Sequence, residues 1–188
     1  MTPRADARDN RAQLVRAARE VFAAEGSDAP LDRVAKRAGI GNATLYRHFP
    51  RRRDLLAAAY AEEVETLRAQ GEALLAHEDP EAALFTWLGL FLDHVRDKRD
   101  LALSITDDPG GDREELFARW HGVMTDTATA LATRAGLAEE VEPLDLLVLT
   151  TGIALSGAEK PRVERLLRVI RRGSTDPGQA GAGQARTG

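Results

Sequence analysis

The tightest constraint on this chain is a glycine-bounded interruption around residue 40. Leu31, Val34, Ala35 and Ala38 recur at i, i+3, i+4 and i+7, the spacing of one buried helix face. Gly39-Ile40-Gly41 then breaks the pattern, because glycine accepts the left-handed backbone that closes a helix and permits a sharp turn. A second short helix is expected at once, from Asn42 to Phe49, ended by Pro50. Two short helices across so small a turn, with Ala35, Ile40 and Leu45 facing inward, fit a helix-turn-helix. An ordinary αα-hairpin within a bundle has the same spacing, so surface chemistry must separate the two.

Every other strong signal is also helical. A helix is expected from Asn10 to Glu25, with Leu14, Ala18, Val21 and Phe22 on one face and Gly26 as its stop. A long amphipathic helix runs from Arg51 to Leu74, and further helices are expected at Glu81 to Arg96, Lys98 to Ile105, Asp112 to Arg134, Pro143 to Ser156 and Pro161 to Arg172. Asp79-Pro80, the stretch Asp107 to Gly111, Gly136 and Gly157 to Pro161 separate them. No alternating β-branched pattern and no internal repeat is present. The expected fold is therefore all-α, with a three-helix helix-turn-helix domain over 1–55 preceded by a flexible arm over 1–9. A helical bundle for effector binding and dimerisation follows over 56–172. The Gly-, Ala- and Gln-rich tail 173–188 is expected to be disordered.

Composition closes off several function classes. Cysteine is absent, which excludes disulfides, thiolate catalysis and cysteine-bound zinc. No apolar run approaches the roughly 20 residues that span a bilayer, and the first residues lack an apolar leader, so a cytoplasmic protein without a membrane partner is expected. The net charge of -4 hides an asymmetry: residues 1–53 carry +6, from 12 Lys and Arg against 6 Asp and Glu, and residues 54–188 carry -10. One end suits a polyanion and the other repels it.

The surface chemistry of the second short helix points to DNA. Leu45 and Phe49 are i, i+4 and must face the core, which leaves Asn42, Ala43, Thr44, Tyr46, Arg47 and His48 on or beside the outer surface. Asn, Thr and Arg can address base edges in a major groove, and Tyr and His can meet phosphate oxygens. Arg51, Arg52 and Arg53 open the long helix, where charge and helix dipole both favour a phosphate. Arg4, Arg8 and Arg11 would lie in the arm.

Val21-Phe22-Ala23-Ala24-Glu25-Gly26, Leu31 to Ile40, and Thr44-Leu45-Tyr46-Arg47-His48-Phe49-Pro50 with Arg52 and Leu55-Leu56 together resemble the DNA-binding domain of TetR-family transcriptional regulators. The resemblance covers about residues 8 to 57 and implies double-stranded DNA as partner, with the positions of Thr44, Tyr46, His48 and Arg52 meeting it. Arg52 stands where lysine is commoner, and Gly41 and Pro30 stand where a Ser or Thr often caps a helix. Phe91 to Arg96 followed by Asp145-Leu146-Leu147 is similar to an actinobacterial-looking subgroup of these proteins.

A single helix-turn-helix makes few contacts, so a two-fold homodimer on a palindromic operator is expected. Leu146, Leu149 and Ile153, then Val163, Leu166, Leu167 and Ile170, are the candidate dimer face. Closing the monomer's own core would use the same residues. Trp87, Phe91, His94, Trp120 and Met124 are candidates to line a pocket for a small-molecule effector, although aromatic residues at helical spacing also simply fill cores. His48, His77, His94 and His121 form no i, i+3 or i, i+4 pair, and the acidic turn at Asp107, Asp108 and Asp112 lacks the alternating calcium-loop spacing. No metal, no cofactor and no catalytic residue is therefore assigned. A repressor released from DNA by an effector is the expected function; a constitutive DNA-binding regulator and a helical protein-interaction scaffold are the alternatives.

Overall fold

The computed structural model describes residues 3–106 and 113–174. Among them are eight α-helices: α1 (Pro3–Glu25), α2 (Leu31–Ala38), α3 (Asn42–His48), α4 (Arg52–Leu74), α5 (Pro80–Thr106), α6 (Arg113–Ala135), α7 (Pro143–Leu155) and α8 (Lys160–Ser174). The all-helical expectation holds. The chain divides into two units, Met1–Glu65 with Lys98–Phe117 and Thr66–Asp97 with Ala118–Gly188.

Three elements differ from the sequence reading. α1 begins at Pro3 rather than near Asn10, so the residues read as a flexible arm are helical from Pro3 onward. Proline suits a first helical position, and Ala5, Ala7 and Arg8 favour the helix that Asp6 stabilises near its positive end. The two helices expected either side of Asp97 are one, α5, because Arg96-Asp97-Lys98-Arg99 contains no glycine or proline to interrupt them. α8 runs on to Ser174, two residues into the expected tail; the rest of that tail and the turn at 107–111 lie outside the described residues.

In the first unit Leu14, Ala18, Val34, Leu45 and Leu55 are completely buried. α2 ends where Gly39, at φ +67°, lets the Ile40 N–H reach the Ala35 carbonyl at 2.9 Å and the Gly39 N–H reach Lys36 at 3.2 Å. These paired bonds satisfy carbonyls left open at the helix end and turn the chain into α3.

The second unit is built on a close approach. Trp87 is fully buried, lies 5.7 Å from the Phe91 ring in a stack, and donates its indole N–H to the Leu67 carbonyl at 3.0 Å. α4 can come this near because position 71 is glycine: a Cβ there would stand 2.3 Å from Thr127 Cγ2 and 2.9 Å from Trp87 Nε1. α7 and α8 form an antiparallel hairpin. Ala154 and Val163 share a cluster with Leu92 at one end, and the Ala138 N–H bonds the Ser174 carbonyl at 3.0 Å at the other. Arg171 fastens α8 to α5 through Glu81 at 2.6 Å, with its guanidinium over the Phe85 ring.

Gly71→Ala is expected to cost about 1–3 kcal/mol, since neither neighbour moves without losing a hydrogen bond: the Thr127 hydroxyl is donated to the Val123 carbonyl and the Trp87 indole to Leu67. Chemical denaturation checks this. Adding Thr127→Ala should recover part of the loss; no recovery would mean that steric crowding at Thr127 is not the cause.

Candidate nucleic-acid interface

α3 has seven residues and no side-chain N-cap; the Gly41 carbonyl takes the Thr44 and Leu45 N–H groups at 2.9 and 3.1 Å. Its inner face is Leu45, with Phe49 buried at the C-cap. The opposite face therefore looks outward. Asn42, Ala43, Tyr46 and Arg47 are exposed, Tyr46 by 52%. Thr44 and His48 are half-buried beside them, and the His48 Nε2 is buried without a hydrogen-bond partner in the protein. Any outward contact from that ring is left to Nδ1.

The flanking arginines are more engaged than their number suggests. Arg51 forms a bidentate pair with Asp54, at 3.1 and 2.9 Å, and this hydrogen bond foremost holds the Asp54 carboxyl below its ordinary pKa. Arg52 is half-buried and donates to the Ser27 carbonyl at 2.8 Å, tying the α1–α2 turn to the start of α4. Arg11, read as part of a mobile arm, lies on α1 with its guanidinium 5.1 Å above the Phe49 ring, where it braces the end of α3. Arg8 is exposed on α1. Arg33 pairs with Glu25 at 2.8 Å.

A half-buried carboxylate stiffens the same unit. Glu63 on α4 meets Arg19 of α1 at 2.9 Å and Lys98 of α5 at 3.2 Å. Burial pushes its pKa up, but the two cations more than offset this and hold it below the ordinary 4.5. Sequence pattern gives no hint of such a triad, because its members lie 44 and 35 residues from one another's helices along the chain.

The other expected sites are distributed differently. Leu146 and Val163 are buried inside their own protomer, and the partly buried Ile153 and Leu167 pack on the Leu92 cluster. Leu166 and Ile170 are half-buried, and Leu149 alone of the set is exposed. Helical phase explains this distribution. α7 is apolar all round, and its outer side is Leu144, Val148 and Leu155, at i, i+4 and i+11, exposed by 51%, 63% and 51%. Val169 on α8 is exposed by 66%.

Of the expected pocket residues, Trp87, Phe91, Trp120 and Met124 are buried and His94 is half-buried. None lines the half-open groove of about 310 Å³ between α4 and α6, whose walls are Arg68, Gly71, Glu72, Leu75, Val123, Asp126, Thr127 and Ala130. Arg68 pairs with Glu72 at its edge.

Residues 14–59 match the model of the family described as bacterial regulatory proteins, tetR family. Over nearly its whole length the chain is similar to a TetR transcriptional regulator from Streptomyces coelicolor, 33% identical, covering 89% of this chain and 99% of that one with a TM-score of 0.65. A TetR transcription regulatory protein from Mycobacterium vanbaalenii is 29% identical over 93% of this chain and 100% of that one, with a TM-score of 0.71. The HTH-type transcriptional regulator SrpR from Pseudomonas putida is 41% identical over 58 residues, 30% of this chain and 27% of that protein.

Because the Glu63 pKa is lowered on folding, its stabilisation is present above the ordinary carboxyl range and is lost as pH falls through the lowered value. Glu63→Gln is accordingly expected to destabilise by on the order of 2 kcal/mol at neutral pH and progressively less in acid. Urea titrations from pH 7 downward check it. A difference that stays constant with pH would show that charge is not what Glu63 contributes.

Proposed function

Because the chain belongs to the TetR family of bacterial regulatory proteins, DNA-binding transcriptional regulators, we propose that it acts as a homodimeric repressor, placing α3 of each copy in successive major grooves of a palindromic operator. The observation that carries this reading is the outward face of α3, where Asn42, Ala43, Tyr46 and Arg47 stand exposed while Leu45 and Phe49 fix the helix from behind. Thr44 and Arg47 read bases, and Tyr46, His48 through Nδ1, Arg52 and Arg8 meet phosphates. The Ser27 bond occupies one of the five guanidinium N–H groups of Arg52 and holds the others in place for a phosphate oxygen.

The dimer face is the outer side of the α7–α8 hairpin, centred on Leu144, Val148, Leu155 and Val169 with Leu149 at its edge. Exposed apolar residues gathered on one hairpin support it. A small apolar effector enters the second unit beside Phe91, His94, Trp120 and Met124 and favours a form in which α4, which has residues in both units, no longer sets the spacing that the operator needs.

DNA selected from a random library by the purified protein supplies the probe. Tyr46→Ala and Arg47→Ala are each expected to weaken binding about tenfold or more and to leave the dimer intact. Arg52→Ala should reduce the log-log salt slope by about 0.9, and Arg52→Lys should restore it. Unchanged affinity in both Tyr46→Ala and Arg47→Ala would remove α3 as the reading element. Val148→Asp should dissociate the dimer and abolish operator binding together. A screen of apolar compounds in which none releases DNA leaves constitutive regulation as the function.

A further inference from the structure

The outer surface of α8 carries a row of arginines that DNA reading does not use. Arg162, Arg165, Arg168 and Arg172 are all exposed, and none forms an ion pair within the described residues. They lie in the more acidic part of the chain, and Val169 sits among them, exposed by 66%. A nucleic-acid backbone covering this row would leave Val169 and the leucines of α7 in water. An apolar protein surface with acidic margins suits both features at once.

The hairpin carries such margins at its other end. Glu139 and Glu140, just before α7, are exposed and unpaired among the described residues, and Glu142 and Asp145 stand close by, Asp145 accepting the Glu142 N–H at 3.0 Å. The bond from Ala138 to Ser174 sets this acidic end beside the C-terminus of α8, while Lys160, Arg162 and Arg165 belong to the opposite end, near Ala154 and Val163. Arg168 and Arg172 temper the acidic end, and Glu159 and Glu164 the basic one, but the polarity survives the count.

We propose that this polarity sets the register of two copies, with Arg162 and Arg165 of each protomer facing Glu139 and Glu140 of the partner subunit. A two-fold axis crossing the hairpin turns one copy end for end, so unlike ends meet twice. An axis running along the hairpin brings like ends together, and both contacts repel. The leucines and valines supply adhesion in either arrangement; the charges choose between them. The inference rests on the dimer reading given under the proposed function.

Sedimentation equilibrium of the full chain tests it. The dimer dissociation constant is expected to rise about fivefold or more between about 50 and about 500 mM NaCl. Arg162→Glu/Arg165→Glu and Glu139→Arg/Glu140→Arg should each weaken self-association. An equimolar mixture of the two should form heterodimers at near wild-type affinity, and that recovery also shows that both variants fold. A salt-insensitive dimer untouched by either reversal overturns the charge register and leaves the dimer standing. A mixture no tighter than its components overturns the pairing. A wild-type chain that stays monomeric at every concentration overturns the dimer and the register with it.

Discussion

A seven-residue helix cannot hold itself together in water, because the cost of its first turn is repaid only over a longer run. α3 is ordered by the burial of Leu45 and Phe49, each contributing about 1.5–3 kcal/mol of transfer energy. The same burial decides which residues face out. Once Leu45 is sunk against the core that Leu14, Ala18 and Val34 build, Asn42, Ala43, Tyr46 and Arg47 have no other direction in which to point. The turn at Gly39 then sets the angle at which that face is presented, and Arg11 on the Phe49 ring closes the far end.

Much of this was legible in the linear chain. Apolar spacing marked α2, α3 and α4 to within a residue of their ends, and the helix-ending glycines at 26, 39, 136 and 157 all adopt the positive φ that makes glycine the residue of choice there. Failures came where a boundary depended on absence. The expected break between Arg96 and Lys98 falls in a polar run with no glycine or proline, and such a run continues the helix. α7 was unreadable for a different reason: with leucine and valine on every side, periodicity cannot tell the inner stripe of Leu146, Leu147, Thr150 and Ala154 from the outer one of Leu144, Val148 and Leu155. Only the packing partners separate them.

Charge shows the same gap between sequence and structure. The +6 of the first 53 residues suggests a uniformly basic surface. In the fold, Arg19 is committed to Glu63, Arg33 to Glu25, Arg37 to Glu20 and Arg51 to Asp54. Those pairs, mostly exposed and individually weak, keep their arginines occupied, while Arg47 on α3 stands exposed. Arg52 is engaged as well, donating to the Ser27 carbonyl.

The bracing of α3 by residues that never approach its outer face has a genetic corollary. An allele that trims Leu14 or shortens Phe49 would loosen α3 itself, and one that removes the Arg11 guanidinium would weaken its far end by about 0.5–1 kcal/mol, though the altered atoms lie behind the helix rather than in front of it. Phenotype alone therefore maps the support and the outward face as a single locus, and second-site suppressors that refill the core mark which alleles belong to the support.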